Sequence, residues 1–154
     1  MNKDYLLETA SKLQPVNAKA AGEYQEKSPE MVSKLNTLLE KRQDIEKLVG
    51  KANREMMKDN HSNHARFIAT MLKNYNANVF VETVLWVFNA YQHHGFSSNY
   101  WAAQLNTWIS ILKSELSDEA YREIFPYYEW MQTHIPILVK VSSAMDENLT
   151  PSHS

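Results

Sequence analysis

The run NVFVETVLWVFNAYQHHG, residues 78–95, decides the fold. Val79, Phe80, Thr83, Val84, Val87, Phe88 and Tyr91 recur at helical spacing, while Leu85, Trp86 and Ala90 fill a second stripe. A helix that is apolar on more than one side is enclosed by neighbours. This spacing therefore predicts that the segment is the centre of an all-α domain, and that the few polar groups caught beside it are where a ligand is read.

Outward from that helix, 3 glycines and 5 prolines fall where helices would begin or end, which favours helices throughout. Residues 52–75 carry Met57, His64, Ile68, Met71 and Tyr75 on one stripe and break in the polar run 74–78. Before them, Met31, Leu35, Leu38, Ile45, Leu48 and Val49 make one face that Gly50 ends, with Ser28 as N-cap, Pro29 in the first turn and Glu30 suited to the helix dipole. Residues 4–13 and 17–26 form two short leading helices, the first stopped near Pro15 and the second weakened by Gly22. Beyond Gly95, Ser97 or Ser98 caps a helix bearing Trp101, Leu105, Trp108, Leu112 and Leu116. Ser117, Asp118 and Glu119 open the next, whose inward face is Tyr121, Ile124, Phe125, Tyr128 and Met131, and Pro126 is expected to kink or interrupt it. Pro136 starts a final apolar turn, 137–141. The expectation is one globin-like or helical-bundle domain of about six to eight helices over residues 1–145, with a disordered tail over 146–154.

At 154 residues the chain fits one domain, long enough to bury roughly 70% of the surface its unfolded form would expose. The absence of cysteine excludes disulfides, zinc–thiolate sites and thiol nucleophiles. A formal charge of −2, with charges spread rather than blocked, argues against a general grip on nucleic acid or anionic lipid. Lys3, Asp4, Glu8 and Lys12 interrupt the first turns, so no secretory signal is expected, and Glu82 and Asn89 interrupt the longest apolar stretch, so no membrane span is expected. The expected location is cytoplasmic.

Catalytic motifs are missing: there is no Gly-rich phosphate loop, no His-Glu-x-x-His motif, no nucleophile elbow and no Glu-x-x-His pair. No catalytic residue, metal or cofactor is therefore expected. His64 shares a stripe with Ile68 and Met71, which favours a buried neutral imidazole bonded to a neighbour. A rival reading takes His61 and His64, three residues apart, or His93 and His94, as ligands of a metal or haem in an enzyme or gas sensor. Asp59 and His61 partly fit the Asp-x-His-x-x-Gly motif of corrinoid-binding modules, but His64 stands in place of the glycine and no Rossmann pattern accompanies it. The preferred ligand site combines His64 with Glu82, Trp86, Asn89 and His93, a second stripe at steps of four, three and four that mixes an aromatic plate with hydrogen-bonding groups. A third stripe, Tyr127, Trp130 and His134, lies off the expected core face and is expected to be a docking surface, for a second copy or for a partner protein served by an adaptor.

The elements His64-Ala-Arg-Phe-Ile, Phe80-Val-Glu-Thr-Val-Leu-Trp86, His94-Gly95-Phe96, the leucine-bearing helix 105–116, Asp118-Glu119 and Tyr127-Tyr128 together resemble a helical domain of bacterial regulators. That domain is found beside cobalamin-binding modules and is similar, more loosely, to the non-haem globin sensors of bacterial stress-signalling complexes. The resemblance spans roughly residues 52–131 and carries over His64, Trp86 and Gly95. It implies a non-enzymatic sensory or regulatory domain that binds a small ligand, forms a homodimer, or does both. No corrinoid-binding or phosphoacceptor pattern accompanies it, so any signal is expected to pass through association.

Overall fold

In the structure, a computed structural model, the backbone is described for residues 2–149 and side chains for residues 2–145. The described residues form eight helices and no strand: α1 (Lys3–Ala10), α2 (Ala18–Glu40), α3 (Ile45–Val49), α4 (Arg54–Lys73), α5 (Ala77–His93), α6 (Asn99–Glu115), α7 (Asp118–Thr133) and α8 (Ile135–Leu149). The all-α expectation of six to eight helices holds. No described helix is long and apolar enough to cross a membrane. Of the tail expected to be disordered, the backbone of 146–149 belongs to α8, and 150–154 lie outside the described residues.

Four helices start where a short polar side chain takes an otherwise unpaired first-turn amide. The amides of Tyr5, Ala20, Val79 and Ala120 donate to Asn2, Asn17, Asn76 and Ser117. Two starts are tied together. The Ser117 amide and hydroxyl at the head of α7 donate to the Glu23 carboxylate of α2, at 2.5 and 2.8 Å, and the Asn17 amide at the head of α2 donates to Glu123 of α7 at 2.9 Å. Those bonds from Ser117 hold the Glu23 carboxyl below the usual carboxylate pKa.

Helix boundaries differ from expectation in four places, one of them α8, a 15-residue helix where only a turn over 137–141 was expected. α2 runs unbroken through Pro29, so Ser28 is interior and its hydroxyl donates to the Tyr24 carbonyl at 2.7 Å. The apolar face bends at 41–44, giving α3 its own axis before Gly50, at φ +97°, ends it. α7 likewise passes through Pro126 without interruption. An interior proline costs about 3 kcal/mol. Burial of Tyr24, Met31, Leu35 and Leu39 on α2, and of Ile124, Tyr127, Tyr128 and Met131 on α7, offsets that cost at about 1.5–3 kcal/mol per large apolar side chain.

Backbone packing makes α2 the hub, against α4, α6 and α7, and not α5 as the sequence suggested. α5 lies between α8 and α1, its closest backbone neighbours, and aromatic side chains of α4, α6 and α7, with one flank left open to solvent. Trp86 is 51% and Val79 46% exposed, with Ala90 and His93 continuing the wet flank. The second apolar stripe is explained by Val81 and Leu85, which are buried, while Trp86 faces out.

Candidate functional site

α5 is held to the core at two points. Phe80 sits among Phe67, Tyr75, Tyr127 and Trp130, with ring centroids 5.2–6.0 Å apart. Eight residues on, about 12 Å along a helix axis, Phe88 stacks on Trp101 at 4.1 Å, and Tyr91 meets Phe96 at 5.1 Å and Trp101 at 6.2 Å. Between those clasps the α5 side chains are the shorter Thr83, Val84 and Val87. A cavity of about 150 Å³ lies beside them, beneath α5.

Its apolar walls include Phe67, Val87, Phe88, Trp101, Leu105 and Met131, and its polar groups are Asn60, Asn63, His64, Thr83, Tyr91 and Gln104. No Asp, Glu, Lys or Arg lines it. An ionised guest would be buried with no counter-charge, a large penalty. The volume matches that of a cavity known to take benzene.

α4 delivers the polar floor because Asn60, His61 and His64 lie on its buried side between Met57 and Ile68. His61 is closed off. Its Nδ1 is 2.6 Å from Asn36 Oδ1 and its Nε2 is 2.9 Å from the Tyr100 hydroxyl, which donates to Asn60 Oδ1 at 2.7 Å. Gln104 Nε2 donates to the same Asn60 oxygen at 3.0 Å. Burial, with His64 close by, pushes the His61 pKa down to about 3.

His64 differs in having one nitrogen bound: Nε2 is 2.9 Å from the Tyr128 hydroxyl, which is 2.7 Å from the Tyr24 hydroxyl. Its ring lies against Trp108 at 5.1 Å and Tyr128 at 5.4 Å. Protein surrounds it, yet it keeps some accessible surface, which is the wall it gives the cavity. Burial pushes its pKa down to about 3, so the imidazole is neutral at ordinary pH. Trp101, 2% exposed, also lines the cavity, and its indole Nε1–H has no hydrogen-bond partner.

Of the expected ligand residues, His64 alone lines this cavity. Glu82 pairs with Lys3 of α1, and Trp86 points to solvent. Asn89 is buried and donates to the Ser142 carbonyl at 3.0 Å, tying α5 to α8. His93 is exposed with Nδ1 2.9 Å from the Asn89 carbonyl. The stripe faces away from the ligand space; its neighbours Thr83, Val87 and Tyr91 face it.

The docking stripe is also corrected, because Tyr127, Trp130 and His134 are buried. The Tyr127 hydroxyl donates to the Gln14 carbonyl at 2.6 Å, Trp130 Nε1–H to Thr9 Oγ1 at 2.9 Å, and His134 Nδ1 lies 2.7 Å from the Trp130 carbonyl. With Tyr75, whose hydroxyl donates to Ala10 at 2.6 Å, they seat α1 and the segment after it. For the metal reading, no three His, Cys, Asp or Glu side chains converge among the described residues, and His93 and His94 sit at the end of α5, outside the lining that includes His64.

The tyrosine pair behind His64 was missed by sequence, as was Trp101 as a residue lining the cavity. A polar residue on the buried phase of α4 was the available signal, and it found His64. The chain matches no protein-family model, and no curated protein or solved structure is similar to it.

Proposed function

We propose that this chain is a non-enzymatic sensory or regulatory helical domain that binds a small molecule in the cavity beneath α5 and reports it through self-association. The observation that carries this reading is a largely apolar cavity of about 150 Å³ lined by a few polar side chains, among them His64 with one ring nitrogen bonded. Sites of that composition take small ligands. The cavity faces Thr83, Val84 and Val87, and the opposite flank of the same two turns presents Trp86 and Ala90 to solvent. An antiparallel second copy can place each Trp86 against the other's small Ala90, and Glu82 beside them is already neutralised by Lys3. Aromatic side chains of this kind anchor interfaces. The helical-regulator resemblance supports the same reading, with its site moved from the Trp86 stripe to the inner face of the helix.

The test uses benzene as a probe of the full chain, followed by NMR at the Val84, Val87, Leu105 and Met131 methyls, with sedimentation equilibrium in parallel. Saturable shifts at those methyls, and a weaker self-association for Trp86→Ala, are expected. No saturable shift there would overturn the binding reading, and a monomer unaffected by Trp86→Ala would overturn its output.

A further inference from the structure

The proton order behind His64 specifies what the cavity asks of its guest. The Tyr128 hydroxyl has one proton and stands between two partners, the Tyr24 hydroxyl at 2.7 Å and His64 Nε2 at 2.9 Å. Two orders are possible. In one, Nε2–H donates to Tyr128 and Tyr128 donates to Tyr24, which leaves the fully buried Tyr24 O–H with no acceptor. In the other, Tyr24 donates to Tyr128 and Tyr128 donates to Nε2, and both hydroxyl protons are used. Each order leaves one donor without an acceptor, Tyr24 O–H in the first and Nδ1–H in the second; Tyr24 is fully buried whereas His64 keeps accessible surface, so the second order holds. The imidazole proton then resides on Nδ1.

Nδ1–H has no acceptor among the described residues. His64 therefore brings a hydrogen-bond donor to the cavity that it lines. The Asn60 oxygen nearby is already taken by Tyr100 and Gln104. Charged guests are refused because no charged side chain lines the space. The aromatic side chains of Phe67, Phe88 and Trp101 among its lining favour an apolar ring.

Building on the ligand-binding reading above, we infer that the cavity recognises an uncharged ring compound of benzene-like size carrying a hydrogen-bond acceptor, with His64 Nδ1–H as the donor that selects it. Tyr24 and Tyr128 act as positioning residues that fix the tautomer.

The experiment compares benzene with pyridine, which has nearly the same shape but an acceptor in the ring, and with benzoate, at about pH 8 where pyridine is neutral. Dissociation constants are measured for the native chain and for His64→Phe, which keeps a flat ring and leaves the Tyr24–Tyr128 bond intact. The preference for pyridine over benzene should fall about tenfold or more in His64→Phe, since the acceptor is then buried without its donor. Benzoate should bind at least tenfold more weakly than pyridine to the native chain. In the native chain, ¹⁵N NMR should place the His64 proton on Nδ1 and show that resonance moving downfield with pyridine but not with benzene, a readout that does not depend on the variant folding. Failure of both benzene and pyridine to bind would sink the ligand-binding reading itself. Binding of both with an unchanged pyridine-to-benzene ratio in His64→Phe, a proton found on Nε2, or benzoate binding as tightly as pyridine would sink only the inference about ligand class.

Discussion

Removing the Tyr128 hydroxyl tests the polar chain more sharply than any deletion in the apolar core. In Tyr128→Phe the ring and its packing against Trp108 and His64 remain, but the buried Tyr24 O–H loses its acceptor and His64 Nε2 loses its donor. The buried Tyr24 O–H left unpaired costs about 1–3 kcal/mol and the lost bond to Nε2 about 1 kcal/mol, so the variant should lose about 2–4 kcal/mol. Tyr24→Phe is milder, because Tyr128 still donates to His64; its cost should be about 1 kcal/mol. The decisive quantity is the second step. In the Tyr128→Phe background, Tyr24→Phe removes an orphaned donor and should restore about 1–2 kcal/mol, reversing its sign. Urea unfolding of the four proteins closes the cycle, and for a chain of this size Tyr128→Phe should lower Tm by about 5–12 °C. Equal and additive losses in the two backgrounds would refute the proton order on which the ligand inference stands.

Two further predictions concern stability. His61 and His64 have folded pKa values pushed down to about 3 by burial, whereas unfolded histidine titrates near 6.5. The unfolded chain therefore binds more protons between those values, so the stability from keeping both rings neutral is fully present above about pH 6.5 and is lost as pH falls toward 3. Between about pH 7.5 and 5, where most carboxylates remain ionised, unfolding free energy should drop by about 2 kcal/mol per histidine; denaturant midpoints that stay constant across that interval would contradict it. The two turn glycines should respond unequally to alanine. At Gly50, φ +97°, a Cβ would lie 2.9 Å from Asn53 Nδ2, which donates to the Val49 and His94 carbonyls and so joins the α3–α4 and α5–α6 turns. At Gly95, φ +93°, a Cβ meets nothing within 4 Å. Gly50→Ala should cost about 2–3 kcal/mol and Gly95→Ala about 1 kcal/mol, and thermal unfolding that ranks them the other way would dismiss the turn-joining role of Asn53.

The sequence carried the local physics well. Ser117 caps α7 and Gly50 closes α3 because those signals are written within a few residues. It misjudged what depends on partners far away in the chain. Pro29 and Pro126 read as breaks because a proline's penalty is local and the burial that overcomes it is not. Trp86 read as the enclosed aromatic plate of a ligand site because an aromatic side chain on an apolar helix gives no sign of whether a neighbour covers it. Tyr127 and Trp130 read as surface because their partners, the Gln14 carbonyl and the Thr9 hydroxyl, lie more than a hundred residues earlier. A cavity is harder still. It lies beside Thr83, Val84 and Val87, between the ring contacts of Phe80 and Phe88, and no periodicity records a gap. His64 was legible because a polar residue on a buried stripe must answer for its hydrogen bonds.

The placement of cavity and Trp86 on opposite sides of α5 makes a demand that binding alone does not. If a guest against Val84 and Val87 shifts α5 and thereby strengthens association through Trp86, linkage requires the associated form to bind that guest more tightly by the same factor. Coupling between sites is typically about 1–3 kcal/mol, roughly a 5- to 150-fold change in affinity. Benzene affinity should therefore rise with protein concentration across the association midpoint in the native chain. In Trp86→Ala it should be independent of concentration, with the cavity itself unaltered because Trp86 touches none of it. Concentration-independent affinity in a native chain that does dimerise would separate the two faces of α5, leaving a binding protein whose dimer has nothing to do with its ligand.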